Sequence, residues 1–315
     1  MRKPTPPLQV AVGVVINATC QVLIAQRKND AHQGGLWEFP GGKLEPGETA
    51  EVALRRELYE EITIEVQATT PLITVHHCYP DLSVQLIVFK VTAFSGEARS
   101  GEGQPLRWVE PCHLGQYRFP DANQPIIKAV QLPCCYAILD AAEPHLLSAN
   151  LQQLLKQEIR LIQARLKNLP TPIIEQFIEL AYPLCQQQGR ILLINSAAPR
   201  ALWRRVDGLH LTRHDLMRLQ HRPADIQYLA ASCHTLGELR HAEAIGVDFA
   251  VLSPVLATQS HPDALPLGWE QFKQWVAQVN CPVYALGGMT YETLLSAQQA
   301  GAQGIAAIRG FLGNK

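Results

Sequence analysis

The sequence Gly42-Lys-Leu-Glu-Pro-Gly-Glu48 continues through Thr49 to Arg56-Glu57-Leu-Tyr-Glu60-Glu61-Ile-Thr-Ile64, and this stretch organises the first half of the 315-residue chain. Its Pro46-Gly47 pair predicts a turn, because both residues favour turns and disfavour helix interiors. Thr49 can then serve as the N-cap of a helix of about three turns over residues 50–61. The stretch therefore predicts a turn followed by a helix that is rich in charged residues.

One arc of this predicted helix carries apolar side chains and carboxylates together. At about 100° per residue, the arc holds Ala50, Ala53, Leu54, Leu58, Glu57 and Glu61, with Arg56 and Glu60 at its edge and Glu51, Val52, Arg55 and Tyr59 facing away. Neighbouring carboxylates repel by roughly 0.2–0.5 kcal/mol per pair even on a solvated helix, and burying them costs several kcal/mol unless they are paired or metal-bound.

Two interpretations of these carboxylates remain open from the residues alone. The run can be a solvated, charged helix face, or it can be a site for a hard divalent cation such as Mg²⁺, which takes oxygen ligands and often arrives with substrate phosphates. One arginine cannot neutralise three glutamates. The inward direction of the carboxylates, together with Glu48 outside the helix, favours the cation site.

The stretch also resembles the Nudix box, G-x5-E-x7-R-E-U-x-E-E-x-x-U, which is the signature of hydrolases that cleave a diphosphate linked to another group. Thr63 departs from the family, which usually has Gly there, and Gly would suit a left-handed helix end. The resemblance narrows to MutT-type hydrolases of oxidised guanine nucleotides over residues 8–131. It rests on Arg27, Asp30-Ala-His32, Glu38-Phe-Pro-Gly-Gly-Lys43, Glu102-Gly-Gln-Pro105 and Ala122-Asn123-Gln-Pro125.

This resemblance implies roles for three groups of residues. The implied catalytic set is Glu57, Arg56, Glu60, Glu61 and Glu48, in which Glu57 is the base, Arg56 orients it and Glu48 supports the metal site. The implied ligands of Mg²⁺ or Mn²⁺ are the Gly41 carbonyl, Glu57, Glu60, Glu61 and Glu102. The implied substrate-binding residues are Arg27, His32, Phe39, Lys43 and Asn123, of which Asn123 would read the purine edge because an amide both donates and accepts.

Plainer roles for the same residues also remain open. Without the family context Asn123 can be a helix cap, and Glu102, flanked by glycines, can be an exposed turn residue. Arg27 and Lys43 can be solvated charges, and Phe39 can be a core residue. Asp121 departs from the proline that is common in this loop of the family.

Length and composition limit the classes of protein. A chain of 315 residues is long for one hydrophobic core, so two domains are expected. A net charge of −1 lacks the basic excess of a broad nucleic-acid-binding surface. The eight cysteines form no C-x-x-C pair and no zinc spacing, so we expect buried thiols in a reducing compartment. The first apolar run, residues 10–16, is too short to cross a membrane, and we expect a cytoplasmic protein.

Apolar runs place the strands of the first half. Strands are predicted at residues 10–16, 22–25, 72–77 and 83–93 and around Trp108, and a last helix is predicted to begin at residues 126–130. Mixed strands with two helices predict an α/β/α sandwich with a mixed sheet. The Gln131-Leu-Pro-Cys134 segment is a plausible boundary, which divides the chain into residues 1–131 and 132–315.

The second half alternates between short apolar runs and helix-length segments. The runs are residues 136–140, 160–166, 191–195, 208–211, 227–232, 249–253, 283–287 and 304–308. Helices are predicted at residues 147–157, 173–188, 236–245, 269–279 and 291–300. Eight β-α alternations predict a (β/α)₈ barrel, whereas a β-sandwich would not have helix-length connections.

This half resembles thiamine-phosphate synthase and its non-synthase relatives, the TenI-type proteins, over most of residues 135–312. The resemblance rests on Gln163-Ala-Arg165-Leu-Lys167, Val206-Asp-Gly-Leu-His-Leu211, Ser232-Cys-His234, Ser253-Pro-Val255, Ala285-Leu-Gly-Gly-Met289 and Ala300-Gly301. The implied phosphate-binding residues are Arg165, Lys167, Gly287, Gly288, Arg309 and Gly310, at the end of the barrel where such sites are common.

Two departures weaken the implied synthase site. Synthases have Asp at the position of Ser196 and use it with a second Asp, here Asp215, to hold Mg²⁺. They also have Lys at the position of His261, and a neutral histidine does not replace a fixed ammonium. The sequence therefore predicts a degenerate or repurposed barrel.

The leading prediction is a Mg²⁺-dependent Nudix hydrolase that converts a nucleoside triphosphate, preferably 8-oxo-dGTP, to a monophosphate and pyrophosphate. Cleavage of a thiamine-pathway diphosphate is the alternative among enzymes. From another class, the protein can be a sensor whose barrel binds a phosphorylated metabolite such as a thiazole phosphate.

Overall fold

A computed structural model describes residues 6–30, 32–140, 144–258 and 265–312. The chain divides into two compact units. The first consists of the residues up to Leu132 together with the short segment Ala277–Asn280, and the second consists of the other residues from Pro133 onward. Among the described residues, no helix is long and apolar enough to cross a membrane.

The first unit has two sheets and two α-helices within its described residues. Its elements are β1 (Leu8–Val15), β2 (Val22–Gln26), β3 (Trp37–Glu38), β4 (Gly41–Lys43), α1 (Ala50–Ile62), β5 (Glu65–Cys78), β6 (Ser83–Ser95), β7 (Leu106–Val109) and α2 (Gln124–Gln131), with 3₁₀ turns at Pro111–Gln116 and Asp121–Asn123. One sheet has the order β4-β1-β6-β5 and the other β3-β2-β7. Because β1 pairs in parallel with β6 and antiparallel with β4, the larger sheet is mixed.

Strand β1 divides the core of this unit into two layers. Its alternate side chains point to opposite faces, so that Ala11 and Val15 join the cluster under α1 and Val12 and Val14 join the cluster on the other face. Gly13 has to be small, because a Cβ there would lie 2.9 Å from a methyl carbon of Leu58 on α1. The first face thus fixes α1 close to the sheet.

Helix α1 begins at the predicted residue and ends one residue beyond the predicted residues 50–61. The Thr49 side chain accepts a hydrogen bond from the Val52 N–H, and Thr63 ends the helix in the left-handed conformation with φ of 56°. A threonine therefore adopts the conformation that usually favours glycine, while its hydroxyl lies 3.3 Å from the Glu97 carbonyl oxygen. Ala53, Leu54 and Leu58 are fully buried, as expected for the inward arc.

The second unit is a closed barrel of eight parallel strands. Its strands are β8 (Cys135–Leu139), β9 (Leu161–Ala164), β10 (Ile191–Asn195), β11 (Gly208–Leu211), β12 (Tyr228–Cys233), β13 (Phe249–Leu252), β14 (Val283–Leu286) and β15 (Gly304–Ala307), and β15 pairs with β8 to close it. The helices are α3 (Pro144–Lys156), α4 (Thr171–Gln187), α5 (Arg213–Arg218), α6 (Leu236–Ala244), α7 (Gly268–Val276) and α8 (Leu294–Gln299). The predicted fold class, a Nudix-type sandwich followed by a (β/α)₈ barrel, is confirmed.

The expectation that the cysteines are buried is wrong for half of them. All eight are free thiols, but Cys20, Cys78, Cys112 and Cys134 are exposed. They lie in turns or at strand ends, where the local backbone faces solvent regardless of how apolar the thiol is.

Candidate active site and barrel cavity

Arg56, on α1, is the centre of a hydrogen-bonded cluster in the first unit. Its Nε and Nη2 donate to the two Glu48 carboxylate oxygens, each at 3.0 Å, and its Nη1 donates to Glu57 at 2.8 Å and to Glu60 at 3.2 Å. Nη2 also donates to the Lys43 carbonyl at 3.1 Å. The bidentate pair with Glu48, formed across the turn before α1, fixes the guanidinium and thereby the Glu57 carboxylate.

Strand β4 brings two backbone positions against the carboxylates of α1. The Gly41 N–H donates to Glu61 Oε2 at 3.1 Å. At Gly42, an added Cβ would lie only 2.1 Å from the carboxyl carbon of Glu57. Gly42 therefore allows the β4 backbone to contact the Glu57 carboxylate directly, whereas a Cβ at Gly41 would lie 2.1 Å from the Ala11 carbonyl oxygen on β1.

The charges at this site are unevenly balanced. Hydrogen bonds from Arg56 and from the Glu45 N–H hold the pKa of Glu48 below its ordinary value. Burial and, to a smaller extent, the negative charges of Glu38, Glu57 and Glu102 raise the pKa of Glu61 to about 7, although the Gly41 hydrogen bond lowers it. In the described part of the chain, the Glu61 side chain has no cationic partner. Glu61 is thus the carboxylate whose charge most needs a cation.

Glu38, on β3, is a second partly buried carboxylate near this cluster. It forms an ion pair with Arg27, whose Nε also donates to the His32 carbonyl at 2.8 Å. Burial raises the pKa of Glu38, and Arg27 partly offsets the increase. Arg27 is therefore held by protein partners at the edge of the site and is not a freely solvated charge.

A cavity of about 490 Å³ adjoins the carboxylates. On one side it is lined by Val10, Val12 and Leu86, on the face of the larger sheet that packs against α2. On the other side it is lined by the loop that contains Ala122 and Asn123. All five predicted substrate-binding residues line it, together with Gly41 and Glu61; these five are Arg27, His32, Phe39, Lys43 and Asn123. The structure therefore brings an apolar pocket and the carboxylate cluster together.

Asn123 is the polar side chain that most clearly faces this cavity without a partner. It is 8% exposed, and although it stands at the N-cap position of α2 its side chain makes no capping hydrogen bond. No other hydrogen bond of its amide is present among the described residues. The role of a helix cap, which was open from the sequence, is thus not what this side chain does.

Aromatic side chains wall the same cavity. Phe39 is buried and stacks on Phe119, with ring centroids 5.5 Å apart. Tyr79 lines the cavity, contacts the His32 ring edge-on at 4.9 Å and hydrogen-bonds the backbone at Ala122. Phe119 and Tyr79 have no predicted role from the sequence.

The remaining predicted residues lie at the exposed side of the site. Glu60 and Glu102 are about half exposed, and Glu102 pairs with Lys28, whose Nζ lies 2.9 Å from Glu102 Oε2. The α1 glutamates do not converge on one point. Among the described residues, the one group of three potential metal ligands whose ligand atoms all lie within 4.8 Å is Glu110, Cys112 and His113, all exposed, on the turn after β7.

The residues present fit a hard divalent cation. Carboxylate and carbonyl oxygens are the ligands that Mg²⁺ and Mn²⁺ prefer. The unpaired, partly buried Glu61 beside the Gly41 backbone has the uncompensated charge that such an ion would neutralise.

The barrel has its own cavity, of about 790 Å³, at the carboxyl ends of its strands. Its polar floor comes from four consecutive strands of the barrel, namely from Gln163, Asn195, His210 and Ser232. His210 Nδ1 lies 2.9 Å from the Tyr136 hydroxyl and Nε2 lies 2.8 Å from Ser232 Oγ. Burial, with the nearby Lys167 and Arg165, lowers the pKa of His210 to about 3, so this imidazole is neutral at pH 7. The buried Gln163 Nε2 has no hydrogen-bond partner among the described residues.

The predicted phosphate-binding residues of the barrel are only partly gathered. Arg165, Lys167 and Gly287 line the cavity, whereas Gly288, Arg309 and Gly310 are not among its lining residues. Gly288 has φ of 68°, and at Gly310 a Cβ would lie 2.2 Å from the Met289 carbonyl oxygen, so both glycines serve tight backbone turns. Arg165 also pairs with Asp140, and burial followed by the Arg165 charge lowers the pKa of Lys167.

Ser196 and Asp215 meet at the position where the resemblance expects two carboxylates. Ser196 Oγ donates to Asp215 Oδ2 at 2.5 Å, and Thr212 Oγ1 donates to the same oxygen at 2.8 Å. Although burial raises the pKa of Asp215, these hydrogen bonds lower it below its ordinary value. A hydroxyl thus satisfies the one carboxylate that remains. His261 lies outside the described residues.

Comparisons with known proteins match the two units separately. A family model described as thiamine monophosphate synthase matches residues 135–311, and one described as NUDIX domain matches residues 11–129. A putative thiamine-phosphate synthase 2 of Aquifex aeolicus is 34% identical over 185 residues, which is 58% of this chain and 100% of the relative. An 8-oxo-dGTP diphosphatase of Escherichia coli is 40% identical over 120 residues, 38% of this chain and 93% of the relative. A CTP pyrophosphohydrolase of the same species is 34% identical over 133 residues, 42% of this chain and 94% of the relative.

Proposed function

The chain belongs to the Nudix family in its first unit and to the thiamine monophosphate synthase family in its second, and on that premise we propose that it hydrolyses an oxidised purine nucleoside triphosphate to the monophosphate and pyrophosphate. The observation that carries the proposal is the buried, unpartnered Asn123 amide in an apolar cavity that adjoins the α1 carboxylates. A base edge with both donors and acceptors would satisfy that amide. The 8-oxo-dGTP diphosphatase relative supports this choice of substrate.

Each group of residues has a distinct task in the proposed reaction. Phe39 and the apolar face of the sheet enclose the base while Asn123 hydrogen-bonds its edge. Lys43 lines the cavity and its carbonyl accepts a hydrogen bond from Arg56, so that its ammonium can offset phosphate charge near the carboxylates. Arg56 holds the Glu57 carboxylate in place at 2.8 Å, and Glu57 accepts the proton of the attacking water.

Glu57, Glu60, Glu61, Glu102 and the Gly41 carbonyl would hold Mg²⁺ or Mn²⁺. Such an ion, when bound, would neutralise phosphate charge and increase the acidity of water. The residues of the chain have to exclude bulk water and keep Glu57 aligned, which the Arg56–Glu48 pair supports.

The substrate is tested by turnover of the full chain with Mg²⁺ on a panel that contains 8-oxo-dGTP, dGTP, CTP and thiamine diphosphate. The proposal expects the highest kcat/KM for 8-oxo-dGTP. A clear preference for CTP would move the substrate class towards that of the CTP pyrophosphohydrolase relative, and a preference for thiamine diphosphate would favour the thiamine-pathway alternative.

For the barrel we propose binding of a phosphorylated small molecule, such as a thiazole phosphate, with little or no synthase activity. The cationic Arg165 and Lys167 beside the polar cavity floor support binding. The Ser196 hydroxyl donates a hydrogen bond to Asp215 at 2.5 Å, which supports the loss of a metal site formed by two carboxylates. Formation of thiamine phosphate and calorimetric titration with thiazole phosphate, both on the full-length Glu57→Gln variant, test this. Robust synthesis contradicts degeneracy, and an absence of heat contradicts binding.

A further inference from the structure

Lys28 forms an ion pair with Glu102, a proposed metal ligand on the loop between β6 and β7. Its Nζ lies 2.9 Å from Glu102 Oε2, and the two side chains are 53% and 49% exposed. Lys28 follows Arg27 directly after β2, so the two neighbouring cations pair with different carboxylates, Arg27 with Glu38 and Lys28 with Glu102.

The Glu102 loop is fixed against the end of α1. The Gly101 N–H donates to the Glu61 carbonyl at 2.8 Å. A Cβ at Gly101 would lie 2.2 Å from the Glu60 carbonyl oxygen, so the loop backbone touches the last turn of the helix. Gln104 Nε2 also lies 3.4 Å from the Glu61 carbonyl. Glu102 is therefore held next to the α1 carboxylates by its backbone, and only its side chain is free to exchange partners.

Nearly every carboxylate at the site has a protein cation as partner. Arg56 serves Glu48, Glu57 and Glu60, and Lys28 serves Glu102. Lys28 also lies within electrostatic range of Glu61 and Asp30. A divalent cation that binds Glu61 and Glu102 must therefore displace the Lys28 ammonium from Glu102, or bind close to its positive charge.

We propose that Lys28 is a built-in competitor of the divalent cation for Glu102, and that it sets the metal affinity of the Nudix site. The inference rests on the proposed function, because it needs Glu102 to be a metal ligand. While the ammonium occupies Glu102, the ion loses one oxygen ligand and meets a like charge. Removing the ammonium makes Glu102 available and should tighten metal binding.

The test measures Mn²⁺ binding directly, by electron paramagnetic resonance of the free ion, without substrate or turnover. Lys28→Gln should lower the Mn²⁺ Kd at least about threefold at low salt, a change of the size that exposed ion pairs produce. The gain should shrink in about 0.5 M salt, where charges are screened. Lys28→Arg, which keeps the cation, should bind Mn²⁺ as the wild type does. Arg99→Gln is the matched control, because Arg99 pairs with Glu97 on the same loop and Glu97 is not a proposed ligand.

A double-mutant cycle separates competition from a general charge effect. In a Glu102→Gln background, Lys28→Gln should no longer change the Kd, since the contested carboxylate is gone. An unchanged or weaker Mn²⁺ affinity in Lys28→Gln overturns the proposal, as does an equal gain in Arg99→Gln. If Mn²⁺ binds but Glu102→Gln leaves its Kd unaltered, Glu102 is not a ligand and the inference fails while the proposed hydrolase stands. If Glu57→Gln and Glu61→Gln leave Mn²⁺ binding unaltered as well, the proposed metal site itself fails.

Discussion

Replacing Gly42 with alanine should displace the proposed catalytic base without unfolding the protein. The added Cβ would lie 2.1 Å from the Glu57 carboxyl carbon and 2.2 and 2.3 Å from its oxygens, and Cβ contacts shorter than 3.0 Å essentially do not occur. The carboxylate must then move by about 1 Å, a misplacement that can cost about 10²-fold in rate. The backbone can stay in place, because Gly42 has no left-handed φ and the clashing group is the end of a flexible side chain.

The assay is kcat for nucleotide hydrolysis together with the Tm of Gly42→Ala. We expect kcat to fall about 10²-fold, while Tm changes by no more than a few degrees, since alanine costs less conformational entropy than glycine in a strand. Gly115→Ala is the control, because a Cβ there meets nothing within 4 Å and its φ is not left-handed. A Gly42→Ala protein that is folded and retains wild-type kcat would refute the placement of Glu57 as the base.

Three further predictions concern the base pocket, the barrel and the buried carboxylate. Asn123→Ala should reduce the ratio of kcat/KM for 8-oxo-dGTP over dGTP more than it reduces hydrolysis of either, because its unpartnered amide selects the base edge; an unchanged ratio assigns that selection elsewhere. Ser196→Asp, made in the Glu57→Gln background, should lower Tm without divalent ions and regain it with Mg²⁺, since Ser196 Oγ lies 2.5 Å from Asp215; a Tm that is indifferent to Mg²⁺ counts against a lost metal site. In metal-free protein, stability should fall as pH rises from 4.5 to about 7, because folded Glu61 keeps its proton to a higher pH than the unfolded chain does; Tm scans of Glu61→Gln should show a shallower fall, and parallel curves would contradict the raised pKa.

Much of the fold follows from the sequence because the barrel strands are continuous apolar runs. Five of them, at residues 191, 208, 249, 283 and 304, begin where the runs predict. Helix α5 was not predicted, since Arg213–Arg218 is short and mostly polar; the Thr212 side chain caps its start by accepting a hydrogen bond from the Asp215 N–H. Strand β4 was not predicted either, because the glycine-rich segment Gly41–Lys43 becomes a strand through its pairing with β1.

The sequence predicted which residues form the site, but it did not predict the contacts between them. The α1 pattern indicates that Glu57 and Glu61 face inward, but the Arg56–Glu48 pair depends on the turn before the helix. The contact of Tyr79 with the loop at Ala122 joins a hairpin tip to a segment more than 40 residues away. No local pattern encodes such a tertiary contact, so the role of Tyr79 could not be read from the sequence.

The most direct test of the central claim is pyrophosphate release from 8-oxo-dGTP by the full-length protein with Mg²⁺, compared with its Glu57→Gln variant. In Glu57→Gln, the amide oxygen can still accept the hydrogen bond that Arg56 donates to Glu57 at 2.8 Å. The variant should therefore keep the fold and the Asn123 pocket, so that a loss of activity reports on the carboxylate alone. We predict stoichiometric monophosphate and pyrophosphate from the wild type and a kcat at least about 10²-fold lower for the variant. Equal turnover by the two proteins, or no turnover by the wild type, would contradict the assignment of this site as a Nudix hydrolase centre.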